Sequence, residues 1–114
     1  MNKDYEYIEN VLKVLNTTPI TFPAVYIDIT GSIKSAILFS RIMYWSEKTE
    51  QKEFCKTDSN LREETYLTEK EFRHAKSTLK RLDLINIKIK GIPPKSYYSV
   101  NINILINELK NRRK

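Results

Sequence analysis

Six side chains between residues 70 and 81 share one chemistry. Lys70, Arg73, His74, Ser77, Lys80 and Arg81 recur at intervals of three and one, which on an α-helix puts them on a single face. Each can donate hydrogen bonds and most carry permanent positive charge, the complement of phosphate oxygens and of the O6/N7 edge of guanine. Lys70, Arg73, His74 and Ser77 lie in the part of such a helix that enters deepest into a major groove, so base contacts are expected there, with Lys80 and Arg81 on phosphates. The competing reading is an ordinary solvated face, with Glu69 and Glu71 within helical pairing distance of its cations. A second cluster, Lys88, Lys90 and Lys95, flanks Gly91, Pro93 and Pro94; it would grip phosphates from a stiffened turn, unless its lysines only guard a strand edge against aggregation. A third, Thr57, Asp58, Ser59 and Asn60, opens a short helical pattern and offers side-chain groups and free N–H donors for positioning a phosphate.

The charge balance agrees with this placement. Residues 1–67 carry 8 Lys/Arg against 10 Asp/Glu, and residues 68–114 carry 12 against 4, so the net +6 of the chain resides in its second part. Clustered cations of this kind supply the sequence-independent share of nucleic-acid affinity.

Other classes of chemistry lack their residues. His74 is the only histidine and Cys55 the only thiol, neither with a neighbouring acid or base, so no catalytic group, metal site or cofactor is expected. There is no Gly-rich phosphate loop, GxSxG or HExxH, which argues against an enzyme. The charged N-terminus lacks the apolar run of a signal peptide, no stretch of 18 apolar residues occurs, and one cysteine cannot form an internal bridge. A cytoplasmic, nucleoid-associated protein is the resulting expectation.

The elements that must carry these clusters can be read from periodicity. Tyr5, Ile8, Val11, Leu12 and Leu15 predict an amphipathic helix over 4–16. Residues 17–30, with Pro19 and Pro23, predict an extended stretch and then a short turn or helix. From Ile33 to about Glu47, Ile33, Ala36, Ile37, Ser40, Met43 and Tyr44 mark one side, and Leu38, Phe39, Ile42 and Trp45 broaden the apolar surface, so a buried central helix is expected. The Tyr44-Trp45 pair reads as core rather than as a base-stacking platform. Residues 53–56 are a short strand candidate, and Thr57 caps a helix over 58–65. Thr68-Glu-Lys-Glu71 has the form of a capping box for a helix to about Asp83, whose stripe is Phe72, Ala75, Leu79 and Leu82. Leu84 to Asn101 reads as a hairpin, and Ile102, Leu105, Ile106 and Leu109 as a terminal helix.

Together these readings give one α+β domain, residues 1–114: an N-terminal extension (1–30), a winged helix-turn-helix core (31–101), and a C-terminal helix with a basic tail (102–114). Gly31-Ser with an apolar helix ending Met43-Tyr-Trp45-Ser, then Phe54-Cys-Lys-Thr57, Glu64-Thr-Tyr-Leu-Thr68, Ala75-Lys-Ser-Thr-Leu79, Leu84-Ile85 and Tyr97-Tyr-Ser-Val-Asn-Ile102, resembles the winged-helix domain of phage and plasmid replication initiators. It is similar to the N-terminal domain of DnaD-type replisome organisers. The resemblance spans roughly residues 20–105, and Tyr44-Trp45 and Lys56-Thr57 are its more specific parts.

The resemblance departs in two places. Tyr66 stands where that family tends to have Gly, and the chain stops soon after the hairpin, whereas many initiators continue into a second domain. The resemblance implies double-stranded DNA as ligand, a role in replication initiation of a phage, plasmid or genomic island, and helicase or helicase-loader partners. The alternatives are a small dimeric transcription regulator, its terminal helices forming the dimer interface, or a protein-interaction module that binds no nucleic acid.

Overall fold

The computed structural model describes residues 3–15, 20–50 and 52–112. Among them are six helices and three strands: α1 (Lys3–Val14), α2 (Val25–Thr30), α3 (Ile33–Lys48), β1 (Glu53–Cys55), α4 (Asp58–Thr65), α5 (Glu69–Arg81), β2 (Ile85–Lys90), β3 (Lys95–Val100) and α6 (Ile102–Asn111). The fold is α+β with a small antiparallel sheet, an order compatible with a winged helix. The ends of the predicted 4–16 helix and of the basic tail, residues 16, 113 and 114, lie outside the described residues, as do residues 17–19. No helix among the described residues is long and apolar enough to cross a membrane.

Helix α3 is the axis of the core. Gly31, at φ +87°, closes α2 by donating its N–H to the Ile27 carbonyl at 2.8 Å, a left-handed position that glycine adopts without a Cβ clash. Ser32 then starts α3, its Oγ accepting the Ser35 N–H at 3.1 Å. The buried side of α3 consists of Ser35, Ala36, Leu38, Phe39, Ile42 and Ser46, and the Phe39 ring meets Tyr26 of α2 edge-on, centroids 5.0 Å apart.

This corrects the sequence reading of that helix. Of the side marked by Ile33, Ala36, Ile37, Ser40, Met43 and Tyr44, only Ala36 is buried, while Ile33 is 59% and Tyr44 38% exposed. Two apolar arcs compete on α3. The one with Leu38, Phe39 and Ile42 is buried, with Ser35 and Ala36, and α3 packs against α2, α5 and β3.

The sheet runs β1-β3-β2, with Phe54 opposite Tyr98, and Ile85 opposite Val100 through to Lys90 opposite Lys95. Alternation sends Phe54, Tyr98, Ile85 and Ile87 to the core and leaves Glu53, Tyr97, Lys88 and Lys90 on the outer face. Tyr98 is fully buried, its ring stacked on Phe54 at 5.6 Å and 14°. The turn Gly91–Pro94 joins β2 to β3 and contains a cis Ile92–Pro93 peptide.

Helix α1 contributes no buried residue, and of α6 only Leu105 is buried. Both amphipathic stripes remain open to solvent along most of their length, with Tyr5, Ile8, Leu12, Ile102, Ile106 and Leu109 exposed.

Candidate nucleic-acid interface

Helix α5 is started by the capping box that its sequence spells. Glu71 N–H donates to Thr68 Oγ1 at 3.1 Å, and Thr68 N–H donates to Glu71 Oε1 at 2.9 Å, satisfying two helix-terminal amides reciprocally. The other Glu71 oxygen takes the Lys34 ammonium of α3 at 2.8 Å. That cation and the Thr68 amide hold the Glu71 carboxyl down at about 2. The helix N-terminus is therefore fixed to α3 by a carboxylate that stays ionised.

The buried stripe of α5 is Phe72, Ala75, Thr78 and Leu79, with Leu82 half-buried beyond it. The opposite face presents Lys70, Arg73, His74, Ser77, Lys80 and Arg81, all exposed. A shallow groove runs between Arg73, Lys76, Ser77 and Lys80, and a second concavity, between the starts of α3 and α5, takes in Lys34, Lys70 and His74. Arg73 touches Glu69 one turn earlier at 3.6 Å, both side chains about three-quarters exposed. Such a pair contributes only a few tenths of a kcal/mol, so a phosphate can displace it.

Lys76, outside the cluster read from the sequence, ties α5 to the start of α4. Its ammonium sits 3.1 and 3.3 Å from the two oxygens of Asp58, and the Tyr98 hydroxyl donates to Asp58 Oδ1 at 2.9 Å. One carboxylate thus joins the start of α4, the middle of α5 and strand β3. Burial, and then this bond to an anion, push the Tyr98 hydroxyl pKa upward, so the phenol remains a donor. The position of Lys76, four residues after Phe72 and three before Leu79, was the available signal that it leans toward the core.

Three of the four side chains of the Thr57–Asn60 cluster have partners within the fold. Asp58 is held within the fold by Lys76 and Tyr98. Thr57 Oγ1 accepts the Asn60 N–H at 3.0 Å and donates to Asn60 Oδ1 at 2.8 Å, so both side chains serve the α4 cap first. Ser59 is exposed and has none of these ties.

The remaining polar network supports α4 from behind. Glu64 Oε1 accepts from Trp45 Nε1 at 2.7 Å and from Arg41 Nε at 2.5 Å, and its other oxygen accepts from Lys56 Nζ at 3.2 Å. Partial burial works to raise the Glu64 pKa, and these three donors outweigh it and lower it. The Lys56 ammonium lies 3.9 Å from the Trp45 ring centroid and Arg41 4.5 Å from that of Tyr44. The aromatic pair is thus engaged by protein cations.

On the hairpin, Lys88, Lys90 and Lys95 are exposed, but Lys90 crosses Tyr97 (4.6 Å to the ring centroid) to pair with Glu53 of β1. The structure brings the helix cluster together on one face of α5 and the hairpin lysines near one tip. No protein-family model and no curated protein matches this chain. The functional reading rests on the site itself. Among the described residues, the side chains of Lys70, Lys80, Arg81, Lys88 and Lys95 form no ion pair or hydrogen bond within the chain, although Lys88 adds, after Lys90, to the lowering of the Glu53 pKa, whereas Lys34, Arg41, Lys56, Lys76, Lys90 and Arg112 are each bound to a carboxylate.

Proposed function

We propose that this chain is a winged-helix protein that binds double-stranded DNA, with α5 as the recognition helix and the β2–β3 hairpin as the wing. The observation that carries this reading is a set of exposed cations, Lys70, Lys80 and Arg81 on the outer face of α5 and Lys88 and Lys95 on the hairpin, whose side chains form no ion pair within the fold. Exposed cations without an ion pair, on a capped helix and a projecting hairpin, carry the sign that duplex phosphates require. Arg73 and His74 are the side chains best placed to read base edges. Lys80, Arg81, Lys88 and Lys95 are phosphate contacts, with Ser59 as an auxiliary donor.

The role in replication initiation of a phage, plasmid or genomic island, with a helicase or helicase loader as partner, is proposed from the sequence resemblance to replication initiators. Selection of duplexes from a randomised pool tests the DNA reading. Arg73→Ala should relax base preference, whereas Lys88→Ala should weaken all sequences alike. Absence of binding at low salt would overturn it, and would leave the protein-interaction alternative.

A second reading, a small dimeric regulator, is favoured by α1. A helix of 12 residues with no buried side chain is marginal alone in water, and a second copy would cover its apolar stripe. A two-fold dimer would place recognition helices roughly 34 Å apart. Sedimentation of the full chain and of a Leu12→Lys variant tests this, with loss of a dimer expected in the variant. A footprint on the protein's own promoter would favour regulation over replication.

A further inference from the structure

The wing ends in apolar side chains that nothing in the fold uses. Along β2 the inward-facing residues go from Ile85, 3% exposed, through half-buried Ile87 to Ile89, 72% exposed. At about 3.3 Å per residue, Ile89 stands roughly 13 Å beyond Ile85, past the end of the core. Ile92, in the turn itself, is wholly exposed at 102% of its reference area, and Pro93 and Pro94 follow it, also exposed. Single exposed aliphatics are common and need no account. Here Ile89, Ile92, Pro93 and Pro94 are gathered at the tip of one projecting hairpin, between Lys88 on one strand and Lys95 on the other.

We propose that this tip is a wedge: Ile92, backed by Pro93, inserts between base pairs from the minor groove and kinks the duplex, while Lys88 and Lys95 hold the flanking phosphates. The inference rests on the DNA-binding reading above and adds deformation of the DNA to it. With α5 in the major groove, the groove next to it along the duplex is the minor one, about 6 Å wide. That width excludes a two-stranded ribbon laid flat and admits the end of a turn. Apolar side chains entering there unstack a base step and bend DNA toward the major groove by about 20–90°. The lysines flanking the tip select a polyanion over an apolar protein partner, and Gly91, at φ +94°, lets the chain reverse so that Ile92 leads. The wedge should favour pyrimidine–purine steps, which unstack most easily.

The test uses the full chain and a duplex of about 35 base pairs, enriched by the protein from a randomised pool and labelled at both ends for energy transfer. Binding of the unaltered protein should shorten the end-to-end distance by an amount corresponding to a bend of at least about 20°. Ile92→Ala should keep the same thermal unfolding midpoint and bind within about tenfold of the parent, with the bend lost. Lys88→Ala should bind more weakly, with the bend retained at saturation. A 2-aminopurine at the step beneath the wing should brighten with the parent protein and not with Ile92→Ala. If the parent binds and leaves the duplex straight, or if Ile92→Ala bends it as fully as the parent, the wedge is wrong and DNA binding stands. If no duplex binds at 50 mM salt, both readings fall together.

Discussion

The division between paired and unpaired cations has a measurable consequence in salt. Each phosphate neutralised by a cation releases condensed counterions, contributing about −0.9 to the slope of log K against log salt concentration. Lys70, Lys80, Arg81, Lys88 and Lys95 form no ion pair, whereas Lys90 is paired with Glu53. If those five meet phosphates, the slope per bound chain is about −4.5, and affinity falls about 500-fold between 50 and 200 mM salt. Arg73 would steepen it by a further 0.9 or so once its exposed pair with Glu69 opens. Lys88→Ala should reduce the slope by about 0.9, so that the same salt interval costs about 150-fold. Lys90→Ala, on the same strand two residues away, should change the slope hardly at all, because its charge is already matched within the protein. Fluorescence anisotropy with a labelled duplex at five or six salt concentrations measures all three slopes. Equal slope changes in the two variants, or none in either, would refute the assignment of phosphate contacts by pairing state.

Three other substitutions test the framework that carries the site. Tyr98→Phe keeps the buried ring and deletes the hydroxyl that donates to Asp58 at 2.9 Å; the lost bond to an ionised, half-exposed partner should cost about 1–2 kcal/mol and lower the thermal midpoint by about 5 °C. Tyr66 caps α4 at φ 59°, ψ 20° with its side chain 83% exposed, so Tyr66→Gly should raise the urea midpoint, relief of the left-handed strain outweighing the added unfolded-state entropy by about 0.5–1 kcal/mol. Glu71, whose carboxyl is held at about 2 against an ordinary 4.5, contributes stability that is complete above pH 4.5 and fades as pH falls toward 2; the thermal-midpoint gap between the parent and Glu71→Gln should therefore close over that interval.

What could be read in the sequence was what local chemistry decides. Thr68-Glu-Lys-Glu71, Thr57 before α4, and Gly91 with two prolines between β-prone runs each act within a few residues, and each formed the element its pattern implies. What could not be read was set by contacts between distant segments. Nothing in α3 alone says which of its two apolar arcs is buried. The ties of Asp58 are of the same kind, because its partners, Lys76 and Tyr98, lie 18 and 40 positions away. Tyr66 in place of glycine left the turn conformation open, and the structure shows the left-handed cap retained with a side chain that this geometry disfavours.

These distant contacts also determine how freely the site can move. Helix α5 is fixed near its start by Glu71 to Lys34 of α3 and in its middle by Lys76 to Asp58, which Tyr98 ties to the strand shared by β1 and the wing. A helix with Phe72, Ala75 and Leu79 buried cannot roll on its axis without exposing them and breaking both ion pairs. The exposed face of α5 and the direction of the hairpin are therefore set by one connected framework before any ligand arrives. That pre-organisation favours a rigid surface such as a duplex, because little of the interaction is spent on ordering the protein. It also means that a change in Asp58 acts on helix and wing together: loss of that carboxylate frees Lys76, adding a cation to the groove beside Arg73 and Lys80 while loosening the geometry. Such a variant should bind DNA more tightly and discriminate among sequences less, a combination that removal of a direct contact does not produce.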